Sequence, residues 1–327
     1  MQFGVVIPSY GPFGDAAKIR ELIAAAEHFG YHTAWFGDHI VIPDYAAHVS
    51  SPRWFDSLAC CIAGAARTER LRFGTDVLVL PYRHPVALSQ LLASADQLCG
   101  GRLTLGVGVG YIRGEFAALA APYEGRGAAT DEYIDVMRSL WETEGAASHN
   151  GRFVQFDRVH AGPPPQQSPF PIFVGGNHPA GRRRAARRGD GWHPLFPSPE
   201  QYATGRADIE AQRAALGRRG PFTFSYTCPE TRVVLDASEL RPPVSYADLP
   251  DIPDDYNYAP PFPLAADERA HFVGTPDQLT ADIQEYATAG VEHLALRFWT
   301  GDPTMDTADV IEQYRRFAEL VAPRFNR

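Results

Sequence analysis

Residues 71–110 read LRFGTDVLVLPYRHPVALSQLLASADQLCGGRLTLGVGVG. An apolar run over 71–80 leads into Pro81 and Pro85, a helical stretch continues to about Leu98, and Gly100-Gly101 turns the chain into a second apolar run over 102–109. Both runs are apolar at nearly every position. That is the pattern of parallel strands buried on both faces, not of a sheet with one wet side. Glycines at 106, 108 and 110 mark the carboxyl end of the second strand, where another group can approach the backbone closely. In parallel α/β proteins that end of the strands is where ligands bind.

The same alternation continues in both directions. Strands are expected at 3–8, 32–37, 71–80, 102–109, 170–175, 191–195, 222–236 and 291–298. Helices are expected at 15–29, 54–66, up to 98, 130–142, 179–188, 199–216, 275–290 and 307–321. Gly30 and Gly290 stand where helices stop, and Thr275 has the place of an N-cap. Strand and helix alternate through eight units, which predicts an α/β fold: one (β/α)8 TIM barrel with insertions, spanning residues 1–327. An open doubly wound sheet is the alternative. The count of eight and the lack of GxGxxG at the first strand–helix turn favour the barrel. Residues 238–271, rich in Pro, Asp and Tyr, break the rhythm and read as a lid-like insertion.

The 327 residues carry 30 basic and 39 acidic side chains, a formal net charge of −9, which argues against a broad nucleic-acid surface. Cys60, Cys61, Cys99 and Cys228 have no metal or redox spacing and fit a reducing cytoplasm. No apolar run is long enough for a membrane span, and MQFGVVIPSYG begins as a strand rather than a signal peptide. HExxH, GxSxG and Walker motifs are absent, so no metal site is expected.

Barrel chemistry belongs to the loops after the strands. After the second strand stand Asp38 and His39. Either His39 works at a ligand with Asp38 fixing its tautomer, or Asp38 caps a turn beside a half-exposed histidine. Asp76 interrupts an apolar strand, so it lines a site or is satisfied by a structural arginine. Thr75, Asp76 and Val77 together border the mouth. Arg83 and His84 read as loop structure. Gly108, Val109 and Gly110 offer bare backbone to a flat ring or phosphate, followed by Tyr111, Arg113 and Glu115. Gly175, Gly176 and Asn177 precede the helix opening at Pro179, an anion site that one or two arginines of Arg182–Arg188 would reinforce. Tyr10, Tyr111, Trp192 and Phe298 are candidate substrate contacts, with His193 and Trp299 beside them.

The segments FGDHIVIP, LRFGTDVLVLPYRHP, GGRLTLGVGVGY, RGAATDEYIDVMRSLW, PIFVGGN and GTPDQLTADIQEYATAGVEHL, in this order along nearly the whole chain, resemble the bacterial luciferase-like superfamily. The nearest resemblance is to its branch of coenzyme F420-dependent oxidoreductases. It implies a TIM barrel, a deazaflavin or flavin ring in the mouth with its phosphate near strands four and five, and a non-proline cis peptide at Asp76–Val77. It also implies that His39 lies beside the ring as general acid/base, oriented by Asp38. Members that oxidise sugar phosphates have Glu after the strand-four glycines, and here that position is Tyr111. The expected activity is hydride transfer between F420 and a small organic substrate. The alternatives are an FMN-dependent monooxygenase served by a flavin reductase, and a flavin-binding protein without turnover. A homodimer is the family habit.

Overall fold

The structure, a computed structural model, describes residues 1–47, 50–236, 239, 269–299, 302 and 304–325. Eight parallel strands close on themselves. They are β1 (Gln2–Val6), β2 (Thr33–Phe36), β3 (Arg72–Thr75, resuming at Leu78–Val79), β4 (Leu103–Gly108), β5 (Ile172–Val174), β6 (Gly191–Trp192), β7 (Thr223–Thr227) and β8 (His293–Leu296). The ring closes where β8 pairs with β1, Gln2 opposite His293, and where β3 pairs with β4, Phe73 opposite Leu103. This is the expected barrel.

Nine helices among the described residues surround it: α1 (Ala16–His28), α2 (Ser57–Ala65), α3 (Pro85–Leu98), α4 (Arg113–Ala118), α5 (Arg126–Glu142), α6 (Pro179–Arg188), α7 (Pro199–Ala215), α8 (Pro276–Thr288) and α9 (Thr307–Leu320). Their starts are written in the sequence. Asp15 accepts the amides of Ala17 and Lys18, and Ser198–Gln201 and Thr275–Gln278 form reciprocal capping boxes. Three of the α6 arginines are engaged by carboxylates of neighbouring helices. Arg184 pairs with Asp131, Arg188 with Asp135 and Arg182 with Asp208, which ties α6 to α5 and α7.

The barrel axis is filled in layers. Trp35 occupies the middle with Val6, Ala295 and Phe173. It fits because Gly4 and Gly74 face it: a Cβ there would come 2.7 Å and 2.3 Å from its ring. Trp35 stacks on His193 toward the carboxyl end, with centroids 4.5 Å apart, and donates to His293 Nε2 toward the amino end at 3.0 Å.

One strand reading changes. The strand expected at 222–236 stops at Thr227, and Arg232–Val233 pairs instead with Val273–Gly274 outside the barrel. Residues 147–159, not assigned from the sequence, form an antiparallel hairpin. Residues 240–268, most of the expected lid, lie outside the described residues. No described helix is long and apolar enough to cross a membrane. The four cysteines are buried and unpaired, and burial pushes the Cys60 thiol up to about 12.

Candidate active site

The mouth is built on the break in β3. The Asp76–Val77 peptide is cis, as the resemblance implied. It turns Val77 toward Gly106, Gly108 and Gly175, where added Cβ atoms would meet its methyls at 3.3, 2.6 and 3.3 Å. These glycines therefore first make room for Val77. The result is a half-buried apolar shelf, Val77, flanked by the half-buried backbone of Gly108, Val109 and Gly110. A flat ring fits such a surface. Thr75 does not face it, because its hydroxyl donates to Gly106 O at 2.7 Å and pins β3 to β4.

Beneath the shelf Asp76 is 8% exposed. Its Oδ1 meets His193 Nε2 at 3.1 Å and accepts from the Thr227 hydroxyl at 2.9 Å, and Arg297 donates to Oδ2 at 3.3 Å. The other His193 nitrogen meets the Ser225 hydroxyl at 2.7 Å. Burial alone would raise the Asp76 pKa. The hydrogen bond and charge of His193, then Arg297 and Thr227, outweigh it and hold the carboxyl below the ordinary aspartate value. Asp76 is thus satisfied by a buried polar cluster that includes an arginine, the more structural of its two readings.

His39 is 9% exposed and its ring donates from Nδ1 to Glu115 Oε2 at 2.8 Å. Glu115, on α4, is fully buried. Its Oε1 accepts the amides of Ile40 and Val41 at 2.6 and 3.2 Å, and its Oε2 also accepts the Tyr82 hydroxyl at 3.0 Å. Burial and the Glu115 charge push the Tyr82 phenol up, so it remains a donor. His39 Nε2 is left toward the mouth, where the Tyr111 hydroxyl lies 3.4 Å away. The Glu115 carboxylate sets the ring tautomer, with the proton of the neutral imidazole on Nδ1.

Asp38 is not the residue that orients His39. Its two oxygens are taken by Arg83 at 2.7 and 2.8 Å, the Ser57 hydroxyl at 3.0 Å and the Val79 amide at 2.9 Å. Arg83 reaches on to Asp56, the N-cap of α2, and is loop structure as expected. Asp38 therefore staples the loop after β2 to the start of α2 and to the broken strand.

One wall of the mouth is aromatic. Tyr10 stacks on Trp54 with centroids 3.9 Å apart, Trp54 meets His39 edge-on at 4.8 Å, and Trp299 meets Tyr10 at 5.4 Å. Tyr111 lies beside His39, and Tyr10 reaches the same wall through Trp54. Trp192 and Phe298 do not. Trp192 packs outward against Tyr202 and Gly205 under α7, and Phe298 packs against Tyr31, Tyr314 and Phe317 under α9. Both are core residues.

The Gly175–Asn177 loop reaches the rim. Gly176 is exposed, has φ +95° and has open space where a Cβ would stand. The α6 terminus behind it is already capped, since His178 Nδ1 accepts from Ala180 N at 3.3 Å. An anion here would therefore meet the loop backbone rather than the bare helix end. Asn177 donates its side chain to Leu195 O at 2.7 Å and Arg182 donates to Asn177 O at 2.8 Å, which fixes the loop.

Residues 1–239 match the family model described as luciferase-like monooxygenase. The chain belongs to this family. A luciferase-like relative, the F420-dependent glucose-6-phosphate dehydrogenase of Gordonia bronchialis, is 26% identical over 338 residues, 96% of this chain and 94% of that protein. The 4-hydroxyprotoasukamycin monooxygenase of Streptomyces nodosus subsp. asukaensis is 28% identical over 362 residues, covering all of this chain and 92% of that one. Among solved structures, the monooxygenase RslO1 from Streptomyces bottropensis superposes with a TM-score of 0.80 at 24% identity, over 99% of this chain and 100% of that one. The luciferase-like chain is accordingly an oxidoreductase on a barrel shared by F420-dependent and monooxygenase members.

Glu115 was named in the sequence only as following the strand-four glycines, without a role, and Tyr82 and Trp54 were not singled out as site residues. A signal for Glu115 was present. Ile112, Glu115 and Phe116 share one helical face, and a carboxylate between two apolar core positions asks for a partner.

Proposed function

We propose that this chain is an F420-dependent oxidoreductase acting on a small organic substrate, with His39 as its general acid/base. The observation that carries the proposal is the Glu115–His39 pair, which leaves Nε2 beside the Tyr111 hydroxyl. The shelf and the backbone of Gly108–Gly110 would hold the ring, and the Gly175–Asn177 loop would take the anionic tail. Bound F420 supplies or accepts the hydride. His39 delivers a proton from Nε2 to a substrate oxygen in the reducing direction and removes it in the oxidising direction, so each hydride moved is matched by one proton. Glu115 balances the charge of the ring when it is protonated. Tyr10, Trp54 and Trp299 shield the site from water on one side.

The monooxygenase relative supports a second reading, FMN-dependent oxygenation fed by a separate reductase. Parallel titrations of the purified protein with F420 and FMN separate the two. Tighter F420 binding, followed by turnover of a ketone or alcohol panel that collapses in His39→Ala, supports hydride transfer. Tighter FMN binding with oxygen-dependent turnover would replace it, and binding of neither would overturn both.

A further inference from the structure

The barrel also has a cavity at its other end. About 340 Å³ opens among the amino ends of the strands, opposite the mouth. Its lining combines an apolar side, Phe173 with Pro169, Pro171 and Pro221, and a side rich in N–H groups, Arg72, His32 and His293.

The polar side has unused donors. Arg72 makes one hydrogen bond, to Gln167 Oε1 at 2.8 Å, and no carboxylate pairs with it among the described residues. The carboxylate behind Gln167, Asp96, is occupied by the backbone and side-chain N–H groups of Gln167. Asp190, which also borders the cavity, is committed to Arg138 and the Ile172 amide. His293 is 2% exposed. Its Nε2 accepts from Trp35, so the neutral ring carries its proton on Nδ1, and no described residue accepts that proton. His32 meets the Thr33 hydroxyl through Nδ1 at 2.7 Å, and its ring lies 5.6 Å from that of His293. A half-buried guanidinium and the His293 Nδ1–H therefore border one space with N–H groups left over, and the His32 ring lies beside them. Asp96 acts on Arg72 through its charge, but its oxygens are engaged by Gln167, so the guanidinium can still take a further anion from the cavity side.

We infer that this cavity is a second ligand site, which takes a small organic acid. The carboxylate would sit against Arg72, His32 and His293, and an apolar ring-sized body would lie against Phe173 and the prolines. Mixed apolar walls with a few convergent polar groups are the usual build of such sites.

The test is calorimetric titration of the full chain at pH 7.5 with benzoate, and with benzamide as its uncharged counterpart. Benzoate should bind saturably at one per chain, and benzamide at least tenfold more weakly. Arg72→Gln should weaken benzoate at least tenfold. His32→Ala, whose side chain bonds only the Thr33 hydroxyl, should weaken it in a protein whose folding is not in question. His39→Ala and Trp54→Ala, at the opposite end, should leave benzoate binding unchanged. No saturable binding of benzoate, equal binding of the two probes, or loss of binding in the mouth variants alone would each overturn the inference. None of these results depends on which cofactor the mouth holds.

Discussion

Glu115 Oε2 lies 2.8 Å from His39 Nδ1, although the two residues are 76 positions apart. One comes from the loop after β2 and the other from the short helix after β4, and both are buried. The same carboxylate accepts the two amides that follow His39. Glu115 thus fixes the loop and the ring together, and His39 is placed by a helix rather than by its neighbour in sequence.

Replacing the carboxylate with its amide tests that arrangement. In Glu115→Gln the side chain can still accept the Ile40 and Val41 amides, but it can no longer balance a charged imidazole. Turnover should fall about 100-fold, the scale of one general acid/base contribution, while KM changes little. His39→Ala should give a similar loss, and the double variant should be little worse than either, because residues acting as a unit are not additive. Losses that multiply would mean that Glu115 and His39 act separately.

Asp38 should behave differently. It is 4% exposed and meets Arg83 through both oxygens. Asp38→Ala leaves the half-buried Arg83 guanidinium with Asp56 alone and strips the Val79 amide and the Ser57 hydroxyl of their acceptor, a change that costs about 1–3 kcal/mol. Denaturant unfolding should show that loss, and the residual activity per folded molecule should stay well above that of His39→Ala. A stable Asp38→Ala enzyme with His39-like loss of turnover would return Asp38 to the chemistry.

The barrel was legible in residues 71–110 because fully buried parallel strands leave a continuous apolar signal that a helix of that length does not. Strand count, caps and the Arg-rich helix followed from the same local rules. The site was less legible, since its partners meet only through closure. Asp38 and His39 are adjacent in sequence, yet successive residues at a strand end point to opposite sides, so Asp38 turns to Arg83 while His39 turns to Glu115. Trp192 and Phe298 stand at strand ends like site residues, but they face the helix layer. Composition alone does not separate the two faces of a strand when both are buried.

Trp54 offers a check on the aromatic wall. It stacks on Tyr10 and touches the His39 ring edge-on, and its indole N–H donates to Ser51 O at 2.8 Å. Trp54→Ala removes a ring that covers both the histidine and the expected substrate face. KM for an apolar substrate should rise about tenfold, in line with about 1–3 kcal/mol for a lost apolar contact in a pocket, with a smaller change in kcat. Trp54→Phe should recover most of it. Equal KM values in all three proteins would remove the wall from substrate binding.

Acid should destabilise the fold in two steps. Burial, and then the charge of Arg72, lowers the His32 pKa from 6.5 to about 4. The unfolded chain therefore takes up a proton that the folded one refuses. The stability present above pH 6.5 is lost as pH falls toward 4. His293 has its pKa depressed by burial and by the charges of His32 and His193, and it adds in the same direction from the same starting pH. Asp76, also depressed, contributes stability above its ordinary 3.8 that is lost only as pH falls below that value. Because the His32 ring is partly solvated, its share is discounted to about 1–2 kcal/mol, or a few degrees in Tm for a chain of this size. Thermal melts at pH 7.5 and 5.0 should show the fall in the parent protein, and His32→Gln should show a smaller one. An equal fall in both would place the acid-sensitive group elsewhere.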